Sequence, residues 1–254
     1  MIPFRDENET VRTPIVTFLL IGINALVWFL VQGAGFNEVA IAASVCNYGL
    51  VPGELTGMAE PGTAIPRSAN LACIVDPGRE PQHIFTSMFL HGGWMHIIGN
   101  MWFLWLFGNN VEDSMGRFRY LVFYLLCGIA AAVAQVVAQP DSPVPMVGAS
   151  GAIGGVMGAY IVLYPRVRVY TLVPIFIIFT TIALPAWVML GYWMLLQLLG
   201  GFSGQESGVA FWAHIGGFAA GVVLVKLFAR PDYIAEHRAR HWRPSRVGMS
   251  DRWR

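Results

Sequence analysis

Long apolar stretches recur along the chain and are separated by short polar segments. Six of them are long enough to cross a hydrocarbon core about 30 Å thick as helices. They lie at about 13–32, 93–109, 117–138, 150–165, 172–199 and 209–229. The pattern predicts an all-α integral membrane protein with six transmembrane helices. Because the first stretch is longer than the core of a cleaved signal peptide, we expect it to remain as a membrane anchor.

Basic residues indicate how these helices are oriented. They flank alternate ends of the stretches, at Arg5, Arg12, Arg117, Arg119, Arg166, Arg168 and Lys226. The loops at 139–148 and 200–208 contain neither Lys nor Arg. Since basic residues are enriched in cytoplasmic loops, both termini are predicted to be cytoplasmic and the long segment 33–92 to be extracytoplasmic.

This topology divides the chain into three parts. Residues 1–12 form a cytoplasmic N-terminal segment, 13–229 a membrane domain and 230–254 a basic cytoplasmic tail. The tail either meets anionic lipid or is a solvated end. With no transit-peptide composition at the N-terminus, we expect a bacterial plasma membrane.

Composition supports a membrane protein and narrows the partners. Hydrophobic residues make up 56% of the chain and charged residues 12%, about half the charged fraction of an ordinary soluble domain. The net charge of +1 comes without a basic stripe, so nucleic acid is not an expected partner. The three cysteines suggest neither a metal site nor a disulfide framework, and Cys46 and Cys73 are either paired or free.

Strongly polar side chains inside membrane spans tend to mark function. His96 and Asn100 lie four residues apart on one helix face, whereas His91 lies about 140° away at the entry to the span. Ser150 opens the fourth span between glycines, and His214 lies in the sixth. Helix rise places Ser150, His214, His96 and Asn100 roughly 18–24 Å above the inner edge. We therefore predict one polar layer, close to the outer surface.

Small residues predict how the fourth and sixth spans approach each other. Gly151 and Gly155, Gly154 and Gly158, and Gly217 and Gly221 each lie four residues apart. Such pairs let helix backbones pack closely. This packing would allow Ser150 to meet His214.

The chemistry of this layer favours acyl transfer. Serine needs a base to remove its proton, and His214 is the histidine of the sixth span. No Asp or Glu lies at this depth in the spans to orient His214. His96, Asn100 and the Ser150 amide are candidate donors to an oxyanion. No cofactor or metal is expected.

Other interpretations of these residues are less favoured. A serine among glycines often serves packing alone, and Asn100 alone would most often bond another helix. His96 and His214 as haem ligands are disfavoured because no second layer of paired histidines exists. A transporter is disfavoured by the absence of ionisable residues deep in the inner half.

From about Ile84 to Gly221 the chain resembles the rhomboid intramembrane proteases. Four elements carry the resemblance, in family order: His91, His96 and Asn100; Glu112 with Gly116-Arg117 and Arg119; Gly148-Ala149-Ser150-Gly151; and Ala213-His214 with Gly217 and Gly221. It implies a six-helix rhomboid bundle with Ser150 as nucleophile and His214 as general base and acid. His96, Asn100 and the Ser150 amide would form the oxyanion hole, while His91, Gly148 and Gly151 would support the site.

The resemblance also implies a class of substrate, and one position departs from the family pattern. Single-span membrane proteins would be cleaved near the outer face after a small residue, and a monomer would suffice. The fifth span, interrupted by Pro174 and Pro185, resembles the family's mobile lateral gate. Gly154 departs from relatives that place an aromatic residue there against the catalytic histidine. The alternative function is a non-proteolytic protein that binds transmembrane helices.

Overall fold

A helix lies in each of the six apolar stretches of the sequence. The computed structural model describes residues 1–68, 70–175, 178–203 and 208–241. Its elements in chain order are β1 (Ile2–Asp6), α1 (Ile15–Leu30), α2 (Glu38–Tyr48), α3 (Pro52–Thr56), β2 (Ala64–Ser68), β3 (Leu71–Ile74), α4 (His83–Thr86), α5 (Trp94–Met115), α6 (Arg117–Ala138), α7 (Ser150–Leu163), β4 (Arg168–Ile175), β5 (Ile178–Pro185), α8 (Ala186–Phe202), α9 (Phe211–Phe228) and α10 (Pro231–His241). Short 3₁₀ turns lie at Gly33–Gly35 and Ser87–Phe89. The predicted tail beyond 241 and the predicted loop at 204–207 lie outside the described residues.

The helices differ in how clearly each would span a bilayer. By length and composition, α6 and α9 are long and apolar enough to cross a membrane on their own. Helices α1, α7 and α8 are apolar but shorter. Helix α5 has 22 residues, and its last two turns contain the polar residues Asn109, Asn110, Glu112 and Asp113.

The prediction that 172–199 is one helical span is wrong for its first half. Strands β4 and β5 pair antiparallel, with Arg168 opposite Pro185, and α8 begins only at Ala186. The chain is therefore mostly helical but not all-α. Residues 168–185 are rich in β-branched and aromatic types, which favour a pleated strand. Pro174 and Pro185 lack the amide hydrogen that a continuous helix would need.

The N-terminal strand completes this sheet. Strand β1 pairs antiparallel with β4, giving the order β1-β4-β5, with Ile2 opposite Leu172. The sheet lies at the end of the bundle away from Ser150, because β4 follows the C-terminal end of α7. Strands β2 and β3 form a separate hairpin in the segment between α1 and α5.

Helix α7 occupies the centre of the bundle. Its residues from Gly151 to Tyr160 are all buried, as expected for a helix that is apolar or small on every side. A Cβ added at Gly217 would overlap the carbonyl oxygen of Gly151, and one at Gly221 would overlap that of Gly155. The predicted close packing of these two helices is confirmed.

The segment between α1 and α5 covers the Ser150 end of the bundle. A disulfide joins Cys46 of α2 to Cys73 of β3, which decides between the two states left open by the sequence. The Gly53 amide donates to the Ser142 carbonyl at 2.8 Å, and Leu50 forms a β-bridge with Met146. This segment therefore holds the loop that leads into α7.

Acidic residues at the end of α5 anchor the N-terminal part of the chain. Glu112 accepts hydrogen bonds from the amides of Val16 and Thr17 and from the Thr17 hydroxyl, at 2.8–2.9 Å. Since the first amides of a helix lack partners within it, a buried carboxylate there stabilises the start of α1. Asp113 accepts the amides of Val11 and Arg12 at 3.0 Å.

Candidate active site

Ser150 and His214 are hydrogen-bonded to each other. Ser150 is the first residue of α7, and His214 lies in the first turn of α9. The distance from Ser150 Oγ to His214 Nε2 is 2.8 Å, and both side chains are partly buried. The glycine contacts between α7 and α9 make this approach possible, because they bring the two backbones together just below the pair.

The second ring nitrogen of His214 meets a side chain of α8. His214 Nδ1 lies 2.7 Å from Gln197 Oε1. The indole ring of Trp193, one turn earlier on α8, lies beside the imidazole with the ring centroids 5.8 Å apart. Helix α8 therefore supplies the polar partner and an aromatic neighbour of His214.

His96 and Asn100 converge on the loop that precedes Ser150. Gly148 has a φ of +125°, and a Cβ added there would lie 2.6 Å from His96 Nε2 and 3.4 Å from Asn100 Nδ2. A side chain at 148 would thus displace the His96 ring and pack directly against the Asn100 amide. Asn100 Nδ2 is buried and has no hydrogen-bond partner among the described residues. The predicted polar layer is assembled from α5, α7 and α9.

His91 lies behind this layer. Its side chain is fully buried, and its ring packs edge-on against His96 with centroids 5.1 Å apart. The Gln32 side chain forms two hydrogen bonds with the backbone of His91. It accepts one from the His91 amide and donates one to the His91 carbonyl, each at 2.8 Å. These contacts place His91 next to His96.

A small cavity adjoins Ser150. Its volume is about 20 Å³, and its lining includes Gly128, Ala131, Gly151 and Ala213, so it is large enough for about one water molecule. A Cβ added at Gly151 would lie 2.6 Å from the Ala131 methyl group. The cavity owes its shape to small residues.

Gln197 is the residue of this site that sequence reasoning missed. A signal existed, because Gln197 is the one amide side chain in the apolar stretch 172–199, and polar residues within spans tend to mark function. Its spacing of four from Trp193 also puts both on one helix face. The predicted lateral gate therefore carries a residue of the site.

The described part of the chain is a mostly helical bundle with two helices long and apolar enough to cross a membrane and with a serine–histidine pair at one end. Residues 78–231, more than half of the chain, match the family model of the rhomboid domain. The chain belongs to the rhomboid family, whose members are integral membrane proteins and include intramembrane proteases.

Several curated proteins are similar to this chain. It is 31% identical to rhomboid protease GluP of Bacillus subtilis (strain 168) over 155 residues, which is 60% of this chain and 26% of that protein. Putative rhomboid protease YdcA of the same bacterium is 28% identical over 148 residues, 58% of this chain and 61% of that protein. Rhomboid-like protein 11, chloroplastic, of Arabidopsis thaliana is 30% identical over 151 residues, 57% of this chain. The match spans about half the length of this plant protein and about a quarter of GluP.

Proposed function

We propose that this chain is an intramembrane serine endopeptidase that cleaves transmembrane segments near the outer face of the membrane. The observation that carries the proposal is the 2.8 Å hydrogen bond between Ser150 and His214, two residues on separate helices within a membrane protein. A nucleophile within hydrogen-bond reach of a base, with that base oriented by a third group, is the general arrangement of nucleophilic catalysis.

The first step would form an acyl-enzyme. Ser150 Oγ attacks the carbonyl carbon of the scissile peptide while its proton passes to His214 Nε2. The C–N bond then breaks, and the departing amine takes the proton from Nε2. A water molecule, deprotonated by the same nitrogen, then attacks the ester carbonyl. The C–O bond to Ser150 breaks, Nε2 returns its proton to Ser150 Oγ, and the new carboxyl terminus leaves.

The developing oxyanion needs hydrogen-bond donors. Asn100 Nδ2 and His96 Nε2 face Gly148, two residues before the nucleophile. The amide of Ser150 is at the N-terminus of α7, where unpaired N–H groups and the helix dipole favour negative charge. We assign the oxyanion hole to these three groups, with His91, Gly148 and Gly151 in supporting roles.

The surroundings of Ser150 favour a small substrate residue next to the scissile bond. The adjoining cavity measures about 20 Å³ and is lined largely by glycine and alanine. Single-span membrane proteins are the proposed substrates. A monomer contains both members of the dyad.

We also propose the topology. All six long apolar helices would cross the bilayer with both termini cytoplasmic, 1–12 and 230–254 flanking a membrane domain at 13–229. Arg12 and Arg230 both stack on Tyr233, with their guanidinium carbons 3.6 and 4.0 Å from the ring centroid. This gathering of cations at the end away from Ser150 supports the positive-inside orientation. The proposed compartment is a bacterial plasma membrane.

The decisive experiment uses the purified protein in detergent, a fluorophosphonate probe and a labelled single-span substrate. Wild type is expected to be labelled and to cleave, and Ser150→Ala and His214→Ala to lose both activities. Ser68→Ala, an exposed serine of β2 outside the site, serves as the matched control and should retain both. Cleavage that persists in Ser150→Ala would exclude the dyad.

One outcome would instead support the alternative function. A folded wild type that binds transmembrane helices without cleaving any, with binding unchanged in Ser150→Ala, would indicate a non-proteolytic helix-binding protein. Topology is tested separately with a membrane-impermeant maleimide on intact cells, which should label Ser142→Cys and leave Arg166→Cys unlabelled.

A further inference from the structure

Gln197 connects α8 to the base of the proposed dyad. It is one of the few buried residues of α8, and its side-chain oxygen lies 2.7 Å from His214 Nδ1. On the other side of the ring, His214 Nε2 lies 2.8 Å from Ser150 Oγ. The imidazole is therefore held between a serine and a glutamine.

The chemistry of these two contacts fixes which ring nitrogen carries the proton. An amide oxygen accepts hydrogen bonds and cannot donate them. His214 Nδ1 must therefore donate to Gln197, and in the neutral ring Nε2 then has the lone pair. That lone pair faces the Ser150 hydroxyl, which is the arrangement that removes the serine proton.

A second hydrogen bond determines which way the Gln197 amide points. Gln197 Nε2 donates to the carbonyl oxygen of Trp193, one turn earlier, at 3.3 Å. If the amide were flipped, its oxygen would face that carbonyl and its NH₂ group would face His214. The backbone of α8 thus keeps the oxygen of Gln197 on the imidazole.

We propose that Gln197 is the positioning residue of the dyad, holding His214 in the tautomer that accepts the Ser150 proton. The inference rests on the proposed protease function. Gln197 thereby orients His214, a role that no carboxylate in the spans could take because none lies at this depth. A neutral partner orients the ring without placing a buried negative charge beside it.

The test compares two substitutions at position 197. Gln197→Met has a similar shape without a strong acceptor, whereas Gln197→Glu keeps an acceptor oxygen. General acid–base catalysis contributes about 10²–10⁴-fold, so we expect Gln197→Met to lower kcat by about 10- to 100-fold with little change in KM. Gln197→Glu is expected to be more active than Gln197→Met.

Leu196→Met provides the matched control. Leu196 is the neighbouring residue of α8 and is 43% exposed on another face of the helix, so the same side chain is introduced without touching His214. It should retain wild-type kcat. Thermal midpoints in detergent establish that each variant is folded.

An NMR measurement reads the tautomer directly. In protein labelled with ¹⁵N-histidine, the signals of His214 are those that disappear in His214→Ala. Wild type should show a protonated Nδ1 and an unprotonated Nε2, and Gln197→Met should lose this preference. An unchanged tautomer, or wild-type kcat in Gln197→Met, would overturn the inference.

The two proposals fail in different ways. Cleavage retained by Ser150→Ala overturns the protease proposal. If Ser150→Ala abolishes cleavage while folded Gln197→Met cleaves like wild type, the protease stands and the role of Gln197 is refuted.

Discussion

The backbone of Gly154 lies against the carbonyl oxygen of His214, and a Cβ at Gly154 would be 3.0 Å from that oxygen. A side chain at this position would therefore press against the backbone of α9. The ring of His214 instead packs beside Trp193 and bonds to Gln197, both from α8. Position 154 of α7 has no aromatic side chain to contact the His214 ring, and two side chains of α8 contact it instead.

Gly217→Ala is expected to destabilise the protein. The new Cβ would overlap the carbonyl oxygen of Gly151 and push α7 from α9. Overpacking costs about 1–3 kcal/mol, and each kcal/mol lowers the thermal midpoint of a chain this long by about 2–4 °C. Differential scanning fluorimetry in detergent measures the change. Gly191→Ala, whose Cβ meets nothing within 4 Å, is the control, and equal midpoints for both variants would contradict the packing argument.

Asn100→Ala is expected to lower turnover more than substrate binding. Its Nδ2 is buried without a partner in the described part of the chain and is assigned to the oxyanion. Removing one such donor typically costs about 10²–10³ in kcat. Steady-state kinetics on a labelled substrate separates kcat from KM. Ile98→Ala, half-exposed on another face of α5, should behave as wild type; a change confined to KM would argue against the assignment.

Asp6 is expected to make stability depend on pH. Burial raises the pKa of Asp6 to about 6, although the hydrogen bond donated by Tyr160 lowers it. Because the folded-state pKa lies above the usual value of about 4, the protonated acid is favoured in the fold. The stability that protonated Asp6 contributes is fully present below about pH 4 and is lost as pH rises through 6. Each pKa unit between the folded and unfolded states corresponds to about 1.4 kcal/mol of unfolding free energy.

Asp6→Asn removes this titration. Between pH 4 and 8 the unfolding free energy of wild type should fall by up to about 3 kcal/mol more than that of Asp6→Asn. Thermal midpoints measured across this pH range should show a correspondingly steeper fall for wild type. Glu7→Gln, the exposed neighbour on the chain, should follow wild type. Parallel curves for wild type and Asp6→Asn would refute the effect.

Glu112→Ala is expected to loosen the first helix. The substitution leaves the amides of Val16 and Thr17 without their acceptor, and each buried group left unpaired costs about 1–3 kcal/mol. Glu112→Gln keeps an acceptor and should lose less. Urea or thermal unfolding in detergent measures both, with exposed Glu38→Ala as the control. A loss no larger than that of Glu38→Ala would rule out anchoring by Glu112.

The disulfide between Cys46 and Cys73 is expected to limit the number of cysteines that react with a thiol reagent. In denaturant without reductant, a polyethylene-glycol maleimide should add once, at Cys127, and after reduction three times. Closing a loop of this size contributes about 3–4 kcal/mol in the chain-entropy description. The thermal midpoint should therefore fall on reduction. Three additions without reductant would show that Cys46 and Cys73 are free.

The sequence predicted the central packing of the bundle better than its edges. Glycines four residues apart form a helix face on which another backbone can pack closely, and this pattern in α7 and α9 predicted that the two helices meet. The charge-free stretch 172–199 looked uniformly suited to lipid. Hydropathy does not separate a strand from a helix there, and strand β4 pairs not only with β5 but also with β1, a distant part of the chain.

The partner of His214 was missed, and the state of two cysteines stayed open, for a related reason. Gln197 was visible as a polar residue in an apolar span, but its reach to His214 depends on how α8 packs against α9. The pairing of Cys46 with Cys73 likewise depends on the fold between α2 and β3. Sequence patterns define faces of elements, whereas these contacts follow from the placement of one element on another.

The pairing of β1 with β4 also has a consequence for the timing of biosynthesis. Ile2 lies opposite Leu172, which is added to the chain much later. At about 5–20 residues per second, the ribosome needs roughly 10–30 s to supply that partner. For this interval β1 has no sheet to join, while helices α1 to α7 are made. Strand β1 is thus made early and joins its sheet late.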